Sequence, residues 1–455
     1  YKMKKKKMST FLAVAATTTM AVTPLGETEN VLASPTTESE VTSKKQSPQQ
    51  AKVSKFNLYG KTDTLNAYNE QFKVKNPTVT SNSGSYPGTS LNNLFDGTRS
   101  THWETNKSNS ETYKNELTFT FENVTELDRI VYSPRTTGAP GKGFPLAFEI
   151  HGNTEDGGEF EVIATGSYSG SRNDDIEIEI EPTQFKQLKF VFTNASEGWA
   201  AASEFMFYKQ DEVAEQVDRL FTDSKKNKVS EEFNTVEKLA AVEEQLGGHP
   251  LEAVLMESVA DAKAVLAMEE VTPTTAETQA FKYYDNAEYK EQFMVPLTNI
   301  ESFSNNGGHY ASSALQYAFD GDASTYWETK TANSANFKNT VEVEFKEAVD
   351  INRLVYGARP SDRKGFITGF DIYVSPTSEG DTYQLVSSGG YTKVSGLVEA
   401  KFDTTKAKRV KLVAKSSDQN WATLSELAFF KEDTLANKVD NLFTDGTMSE
   451  LTAQY

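Results

Sequence analysis

The stretch "LFDGTRSTHWET" at residues 94–105 recurs as "AFDGDASTYWET" at residues 318–329, and this pair decides the reading of the whole chain. A later pair, "WAAASEF" and "WATLSEL", begins at Trp199 and at Trp421. Asp320 lies 224 residues after Asp96, and Trp421 lies 222 residues after Trp199. An offset this constant over such a length indicates two copies of one domain with its connector, because solenoid repeats are far shorter.

Within each copy the apolar residues have a period of two. Residues 117–121 and 176–180 alternate apolar with polar side chains, and residues 341–345 alternate apolar residues with glutamates. This alternation is typical of antiparallel strands with one buried and one solvated face. Many short strands and Gly/Asn/Asp-rich turns therefore predict a mainly β protein with two antiparallel jelly-roll β-sandwiches, at 55–210 and 281–432.

After each sandwich the apolar period becomes helical. Val213, Val217 and Leu220 begin the first such stripe, and two further stripes follow before the Thr/Pro-rich segment at 271–280. This pattern predicts a three-helix spacer at 211–270 and a linker at 271–280. The second copy starts the same helix, so residues 433–455 are expected to be the beginning of a second, truncated spacer.

The first residues predict secretion. Four lysines precede an apolar run at residues 11–22, and the small-residue site "VLA" ends at Ala33. The apolar run is shorter than the ~20 residues of a spanning helix, so we expect a signal peptide at 1–33 rather than an anchor. Residues 34–54 are rich in Ser, Thr, Gln and Lys, which predicts a disordered linker. The protein is thus expected to be extracellular or associated with a cell surface.

Composition excludes several classes of function. The 455 residues carry a formal net charge of −19, which disfavours nucleic acid and anionic membranes as partners. The chain has no cysteine, which excludes thiol catalysis, thiolate metal sites and disulfides. Its four histidines include no H-E-x-x-H pair, and no G-x-S-x-G is found. We expect no catalytic residues here, and an acidic stretch such as "DDIEIEIEP" is read as a solvated strand face.

Three repeated motifs together resemble the coagulation-factor type C (discoidin) domains, and among them the family-32 carbohydrate-binding modules of galactose-binding-like fold. The first is D-G-x-x-x-T-x-W, beginning at Asp96 and Asp320. The second is an Arg shortly after a Tyr, at Arg135 and Arg359, and the third is W-x-x-x-x-E, beginning at Trp199 and Trp421. Each motif alone is weak, but their common order and spacing in both copies make the resemblance specific.

The resemblance implies one structural calcium ion per sandwich, between the Asp-Gly loop and the late Glu. Calcium takes 6–8 oxygen ligands from carboxylates, hydroxyls and carbonyls, and both copies offer them. The implied ligands are Asn93, Asp96, Thr98, Thr101, Ser203 and Glu204 in the first copy, and Tyr317, Asp320, Asp322, Thr325, Ser425 and Glu426 in the second. An Asp-Gly pair alone is usually only a turn, but the distant Glu repeated at the same position favours an ion.

The resemblance also implies a sugar site in loops near this ion, with glycans or glycoproteins as partners. An aromatic ring would stack on the sugar while charged groups bind its hydroxyls. The residues in matching positions are Trp199, Arg135, Glu104 and Lys142 in the first copy, and Trp421, Arg359, Glu328 and Lys364 in the second. The glutamates stand where sugar-binding members often have His, and the lysines where an Asn is common, so an acidic sugar or another polymer is an alternative ligand.

Three functions fit this pattern. The first is a tandem glycan-binding segment of a secreted bacterial protein, in which two weak sites cooperate on one surface. The second is the targeting half of a larger hydrolase, with a glycosidase or an enhancin-like metallopeptidase domain beyond Tyr455. The third is an adhesin segment that binds protein or lipid, because discoidin-type domains also take such ligands.

Overall fold

The computed structural model describes residues 47–56, 62–276, 279–391, 395–440, 442–443 and 450–453. The predicted signal peptide, the predicted linker up to residue 46 and most of the predicted second spacer beyond residue 440 lie outside these residues. No helix in the described ranges is both long and apolar enough to cross a membrane.

The first half of the chain forms a β-sandwich module. Its strands, among the residues that the structure describes, are β1 (Gln49–Gln50), β2 (Lys52–Lys55), β3 (Thr78–Ser81), β4 (Trp103–Glu104), β5 (Asn115–Ser133), β6 (Pro145–Asn153), β7 (Glu161–Ser167), β8 (Ile176–Ala195), β9 (Ala201–Ala202) and β10 (Glu204–Tyr208). The main sheet has the order β1-β7-β6-β8-β5-β10, with β2 on β8 and β3 on β5. Strands β5 and β8 pair antiparallel with register shifts, and such bulges bend long strands so that a sheet can fold over its own core.

The second half repeats this architecture. Its strands are β11 (Thr274–Ala276), β12 (Gln279–Ala280), β13 (Ile300–Asn305), β14 (Trp327–Glu328), β15 (Asn339–Gly357), β16 (Ile367–Ser375), β17 (Gln384–Gly390), β18 (Leu397–Ser417), β19 (Thr423–Leu424) and β20 (Glu426–Phe430). The sheet order is β11-β17-β16-β18-β15-β13, with β12 on β18 and β20 on β15. The predicted mainly β fold with two sandwiches is confirmed.

Each sandwich encloses its own core, built from the alternating residues seen in the sequence. Leu117, Phe119 and Phe121 of β5 are buried, whereas the intervening Thr118 and Thr120 are half-buried. In the second module Val341, Val343 and Phe345 are buried in the same way. Burial of apolar area at about 25 cal/mol per Å² is what holds such cysteine-free domains together.

Six α-helices accompany the sheets in the described ranges. They are α1 (Thr62–Phe72), α2 (Glu212–Asp218), α3 (Val236–Gln245), α4 (Glu252–Leu266), α5 (Ala287–Phe293) and α6 (Thr434–Asp440). Asp211 caps α2 by accepting a hydrogen bond from the Ala214 amide at 3.1 Å, and Thr235 caps α3. Helices α2, α3 and α4 occupy the range in which the spacer was predicted, and their apolar residues form one cluster with Tyr68, Val131 and Tyr208 of the first module.

Both segments that were predicted to be linkers contain short strands. Residues 49–54 were assigned to a disordered linker, but β1 pairs parallel with β7, and β2, which ends at Lys55, pairs antiparallel with β8. In the second linker β11 pairs with β17, and β12 pairs with β18. The composition misled because a sheet edge binds an added strand through its backbone amides and carbonyls, which polar sequences also carry. Ala51, between β1 and β2, and Ala276 of β11 are buried, and Val53 of β2 packs against the core of the first module.

Candidate functional site

Two short ladders hold the T-x-W motifs against the late strands. In the first module Trp103 pairs with Ala202 and Glu104 with Ala201; in the second module Trp327 and Glu328 pair with β19 in the same register. Successive strand residues point to opposite faces. Trp103 and Trp327 are therefore buried in the cores, and the neighbouring glutamates face the other side, toward the loops.

In the first module the four residues predicted to contact sugar come together, and we call this group the first rim. Arg135 Nη1 donates to Glu104 Oε2 at 2.6 Å, and Lys142 Nζ lies 2.7 Å from Glu104 Oε1. Lys142 Nζ also lies 5.1 Å from the centre of the Trp199 ring, within cation–π range. Glu104 is only 4% exposed, so one nearly buried carboxylate holds both cations beside the half-buried Trp199.

The corresponding second rim is looser. Arg359 Nη1 donates to Glu328 Oε2 at 3.3 Å, and Arg359 also stacks over the Tyr326 ring at 5.1 Å. Lys364 pairs with Asp362 at 3.4 Å, rather than with Glu328 as its counterpart in the first rim does. The loop between Arg359 and Lys364 is shorter, and it contributes its own acid. Trp421 is half-buried, like Trp199.

Both rim tryptophans follow two residues in the left-handed backbone region. Glu197 and Gly198 precede Trp199 with φ of 59° and 75°, and Gln419 and Asn420 precede Trp421 with φ of 56° and 64°. For residues with a side chain this conformation costs about 1–2 kcal/mol, so other contacts must hold the turn.

Two of the predicted calcium ligands of the first module, Asp96 and Thr98, contact the hydroxyl of a third, Thr101. Thr101 Oγ1 donates to Asp96 Oδ2 at 2.5 Å and lies 3.3 Å from the Thr98 carbonyl oxygen. Burial raises the pKa of Glu204 to about 7, and the contact with the Asp96 carboxyl adds to the rise. Oε1 of Glu204 is buried and has no hydrogen-bond partner among the described residues. Two carboxylates that face each other in this way are groups between which a divalent cation could be held.

The second module repeats this arrangement. Thr325 Oγ1 lies 2.8 Å from Asp320 Oδ2, 3.3 Å from the Tyr317 carbonyl oxygen and 3.0 Å from the Asp322 carbonyl oxygen. Burial raises the pKa of Glu426 to about 7, with Asp320 and Asp322 contributing to the rise. Oε1 of Glu426 is likewise buried without a partner in the described chain.

The remaining predicted ligands lie next in sequence to these residues. Asn93 belongs to the short 3-10 helix Leu91–Phe95 that leads into Asp96, and Ser203 and Ser425 immediately precede the two glutamates. In the part of the chain that the structure describes, no three His, Asp or Glu side chains are close enough to hold a metal ion by themselves. Hydroxyl and carbonyl oxygens would have to complete any shell, and calcium accepts such ligands readily.

Comparison with known protein families shows that the two halves of the chain match the same domain family. The F5/8 type C domain model matches residues 76–205 and 299–427, one region in each sandwich. The chain belongs to the F5/8 type C domain family. This confirms the resemblance that the repeated motifs indicated, and we refer below to the first and second F5/8 type C domains.

Solved structures of ZmpB from Clostridium perfringens are similar to most of this chain. The structure of its CBM32-1 and CBM32-2 domains is 47% identical, with a TM-score of 0.77, over 84% of this chain and 100% of that chain. A structure that also contains the M60 catalytic domain is 47% identical, with a TM-score of 0.84, over 90% of this chain and 43% of that chain. The complex of CBM32-1 and CBM32-2 with GalNAc is 46% identical, with a TM-score of 0.70, over 85% of this chain and 98% of that chain.

Sequence reasoning missed one exposed tyrosine beside each rim. In the first F5/8 type C domain Tyr86 is 48% exposed, and its amide donates to the Glu104 carbonyl at 2.8 Å. In the second domain Tyr310 is 41% exposed. Its carbonyl accepts from the Ser313 amide at 3.0 Å, and the Ser313 carbonyl accepts from the Glu328 amide at 3.2 Å. The two tyrosines are 224 residues apart, so the repeat itself was the signal that could have identified them.

An asparagine in each domain braces the turn before the rim tryptophan, and it was also missed. The Asn109 amide donates to the Gly198 carbonyl at 2.7 Å, while its side chain donates to Phe192 O and accepts from the Asn115 amide. In the second domain Asn333 makes the corresponding bonds to Asn420 O, Ala414 O and the Asn339 amide. Asn109 and Asn333 therefore tie the strained turns to the sheet.

Proposed function

We propose that the two F5/8 type C domains bind carbohydrate at the first and second rims, with galactose-type sugars such as GalNAc as the ligand class. The ion-paired group of Glu104, Arg135 and Lys142 beside Trp199 is the observation that carries the proposal. Its counterpart around Arg359 and Glu328 provides an independent second instance. A similar tandem CBM32 structure is described in complex with GalNAc, which supports this ligand class.

The chemistry of the first rim suits a sugar. Arg135 and Lys142 can donate to hydroxyls, and Glu104 holds both in place, so little side-chain entropy is lost when a ligand binds. The Trp199 ring offers a face for the apolar C–H side of a pyranose, and the exposed Tyr86 ring offers another. Charged donors beside aromatic faces favour a neutral or acidic saccharide.

The two rims should differ in strength. Lys142 is 23% exposed and fixed on Glu104, whereas Lys364 is 52% exposed and fixed on Asp362. The first rim is therefore the more preorganised, and we expect it to bind a monosaccharide more tightly. Two weak sites on one chain still bind a multivalent surface well, because the second binding event is intramolecular.

We further propose that each domain holds one calcium ion with a structural role. The ion would lie between Asp96 and Glu204 in the first domain and between Asp320 and Glu426 in the second. The buried, unpartnered carboxylate oxygens of both glutamates support this assignment. A divalent cation there would stabilise the ionised carboxylates and connect the Asp-Gly loop to the last strand.

The biological role we infer is to bring a secreted hydrolase to glycans or mucin outside the cell. The similar ZmpB structure contains an M60 catalytic domain together with its two CBM32 domains, which supports a parent enzyme of this type. The residues of this chain would then supply binding and not chemistry.

Titration calorimetry with GalNAc and a glycan array test the proposal. Trp199→Ala and Trp421→Ala should each remove one site, and the double variant should lose all binding. Tyr283→Ala, at an exposed tyrosine outside both rims, is the control and should bind like the wild type. Unchanged binding by the double variant, or capture of lipid or protein with no glycan bound, would refute the proposal.

A further inference from the structure

A cleft of about 420 Å³ lies between the first sandwich and the helical spacer. It is bordered by β2, β5 and β8 on one side and by α2 and α4 on the other, and it involves none of the rim residues. Its wall is acidic, with two cations, Lys52 and Arg129, and with the carboxyl groups of Asp128, Glu177, Glu179, Glu181, Asp211, Glu215 and Asp218.

Several of these acids already have partners. Lys52 Nζ lies 2.9 Å from the Glu179 carboxylate, and Arg129 Nη1 donates to Glu177 at 3.0 Å. Asp211 accepts from the Tyr68 hydroxyl at 3.0 Å and lies 3.1 Å from a ring nitrogen of His249. These pairs account for both cations of the cleft, and Glu215 Oε2 accepts from the Gln210 side chain at 2.8 Å. Four carboxyl groups are therefore in excess of the cations, those of Asp128, Glu181, Glu215 and Asp218.

Asp128 is the residue that indicates a ligand. It is 9% exposed, it borders the cleft, and its Oδ1 has no hydrogen-bond partner in the described ranges. Burial raises the pKa of Asp128 to about 7, opposed by Arg129 and reinforced by a close contact with the Glu215 carboxyl. A buried acceptor without a partner is unfavourable, and a bound donor would remove that cost.

The second copy shows that the fold does not need these two charges. The positions equivalent to Asp128 and Glu215 hold Asn352 and Asn437, and Asn352 is buried as well. Asn352 Oδ1 also has no hydrogen-bond partner among the described residues, so an unpartnered oxygen is common to both copies. The carboxyl pair is specific to the first copy.

We propose that this cleft binds an alkylammonium group, with Asp128 and Glu215 as the acceptors of its N–H bonds. A metal ion is a poor fit, because no three acids or histidines of the described chain are placed to hold one. Leu251 and Leu255 of α4 and Ala214 of α2 give the cleft an apolar side on which a methylene chain can lie. The volume lies within the range of small-ligand pockets and exceeds what an ion alone requires.

Such a group could belong to a free diamine or to a lysine side chain, and titration of the whole protein with cadaverine and with N-acetyl-lysine methylamide separates the two. The proposal expects 1:1 saturable binding of at least cadaverine. Asp128→Asn/Glu215→Asn, which installs the residues of the second copy, should weaken it at least tenfold. Glu111→Gln/Glu159→Gln removes the same charge from exposed positions and should leave binding unchanged.

The outcomes are distinct. Binding of both probes assigns the site to any alkylammonium, including a protein lysine, and binding of cadaverine alone assigns it to free diamines. Absence of binding, equal loss in the two double variants, or full retention in Asp128→Asn/Glu215→Asn overturns the proposal. If the double variant fails to fold, Glu215→Asn alone serves, since Glu215 lies on the helix face of the cleft. GalNAc binding at the rims is expected to be the same in all these proteins.

Discussion

Glu104 illustrates how a single side chain organises the first rim. Its two carboxylate oxygens are each held by a different cation, Arg135 and Lys142, and it is nearly buried. Glu328 occupies the same place in the second domain but is more exposed and has one such partner at 3.3 Å. The glutamate therefore contributes more to the stability of the first domain than its counterpart contributes to the second.

Glu104→Gln should destabilise the first domain by about 2 kcal/mol, because hydrogen bonds to charged groups contribute that much and two neighbouring cations lose their counter-ion. Glu328→Gln is the matched variant and should cost less than about 1 kcal/mol, since partly exposed pairs contribute little. Denaturant unfolding followed by calorimetry of GalNAc binding measures both effects. Equal losses in the two variants would contradict this account of the first rim.

Asp128 predicts a dependence of stability on pH. Its pKa is raised to about 7 in the folded chain, above the usual value of about 4, so the folded state favours the protonated form. The resulting stability is complete below about pH 4 and is lost as the pH rises through 7. Compared with Asp128→Asn, the wild type should therefore lose melting temperature between pH 5 and pH 8. A constant difference between the two proteins over this interval would show that Asp128 ionises normally.

At the scale of elements, the sequence predicted the core strands, which show in the periodicity of apolar residues. It did not predict the edge strands, which form through backbone hydrogen bonds alone. The strands of the core followed from alternation, as at Phe119, and the acidic loop followed from the repeated Asp-Gly. The edge strands β1 and β11 could not be predicted, because they pair through amides and carbonyls common to every residue. The bracing role of Asn109 was also hidden, since an asparagine in a loop is usually only a turn residue.

Asn109→Ala should weaken GalNAc binding at the first rim about tenfold without unfolding the domain. The backbone amide of residue 109 would still bond the Gly198 carbonyl, but without the side-chain bonds it is no longer fixed to the sheet. The strained turn before Trp199 therefore loosens, and the ring is held less firmly for stacking. Acrylamide quenching of tryptophan fluorescence should increase, which a purely global loss of stability would not produce below the melting temperature. Asn123→Ala, at an exposed position of β5, is the control. Normal affinity in Asn109→Ala would mean that the turn holds itself.

The loops that contain Asp96 and Asp320 predict a response to chelation. If each connects to its late glutamate through calcium, EDTA should lower the melting temperature of both domains, and added calcium should restore it. Asp96→Ala should abolish the response in the first domain only, with Asp320→Ala as the reciprocal control. Limited proteolysis at the loops would report the same loss locally. An unchanged melting temperature with EDTA would refute the proposal that the domains hold structural calcium.

At the scale of the whole molecule, the spacer is packed against both domains. Its apolar cluster includes Tyr68 and Val131 of the first domain, and Asp261 of α4 reaches the loop before β17 in the second. Asp261 is buried and accepts from the Ser378 amide at 2.7 Å, the Ser378 hydroxyl at 2.8 Å and the Glu379 amide at 3.2 Å. Asp261 is thus one of several groups that join the spacer to the second domain, together with the Lys225 carbonyl, which accepts from the Asp381 amide at 2.7 Å, and the ion pair of Lys226 with Glu379.

Asp261→Ala should separate bivalent binding from the binding of each rim. The change leaves two amides and a hydroxyl without their acceptor, at a cost of about 1–3 kcal/mol at the contact, while neither rim is touched. The radius of gyration from X-ray scattering should increase, and affinity for a multivalent mucin should fall several-fold because the effective concentration of the second rim decreases. Affinity for GalNAc itself should not change. Glu257→Gln, which affects only the more exposed pair with Lys408 at 3.6 Å, is the matched control and should have a small effect. A parallel loss of GalNAc and mucin binding in Asp261→Ala would instead mean that the contact supports the fold of the second domain.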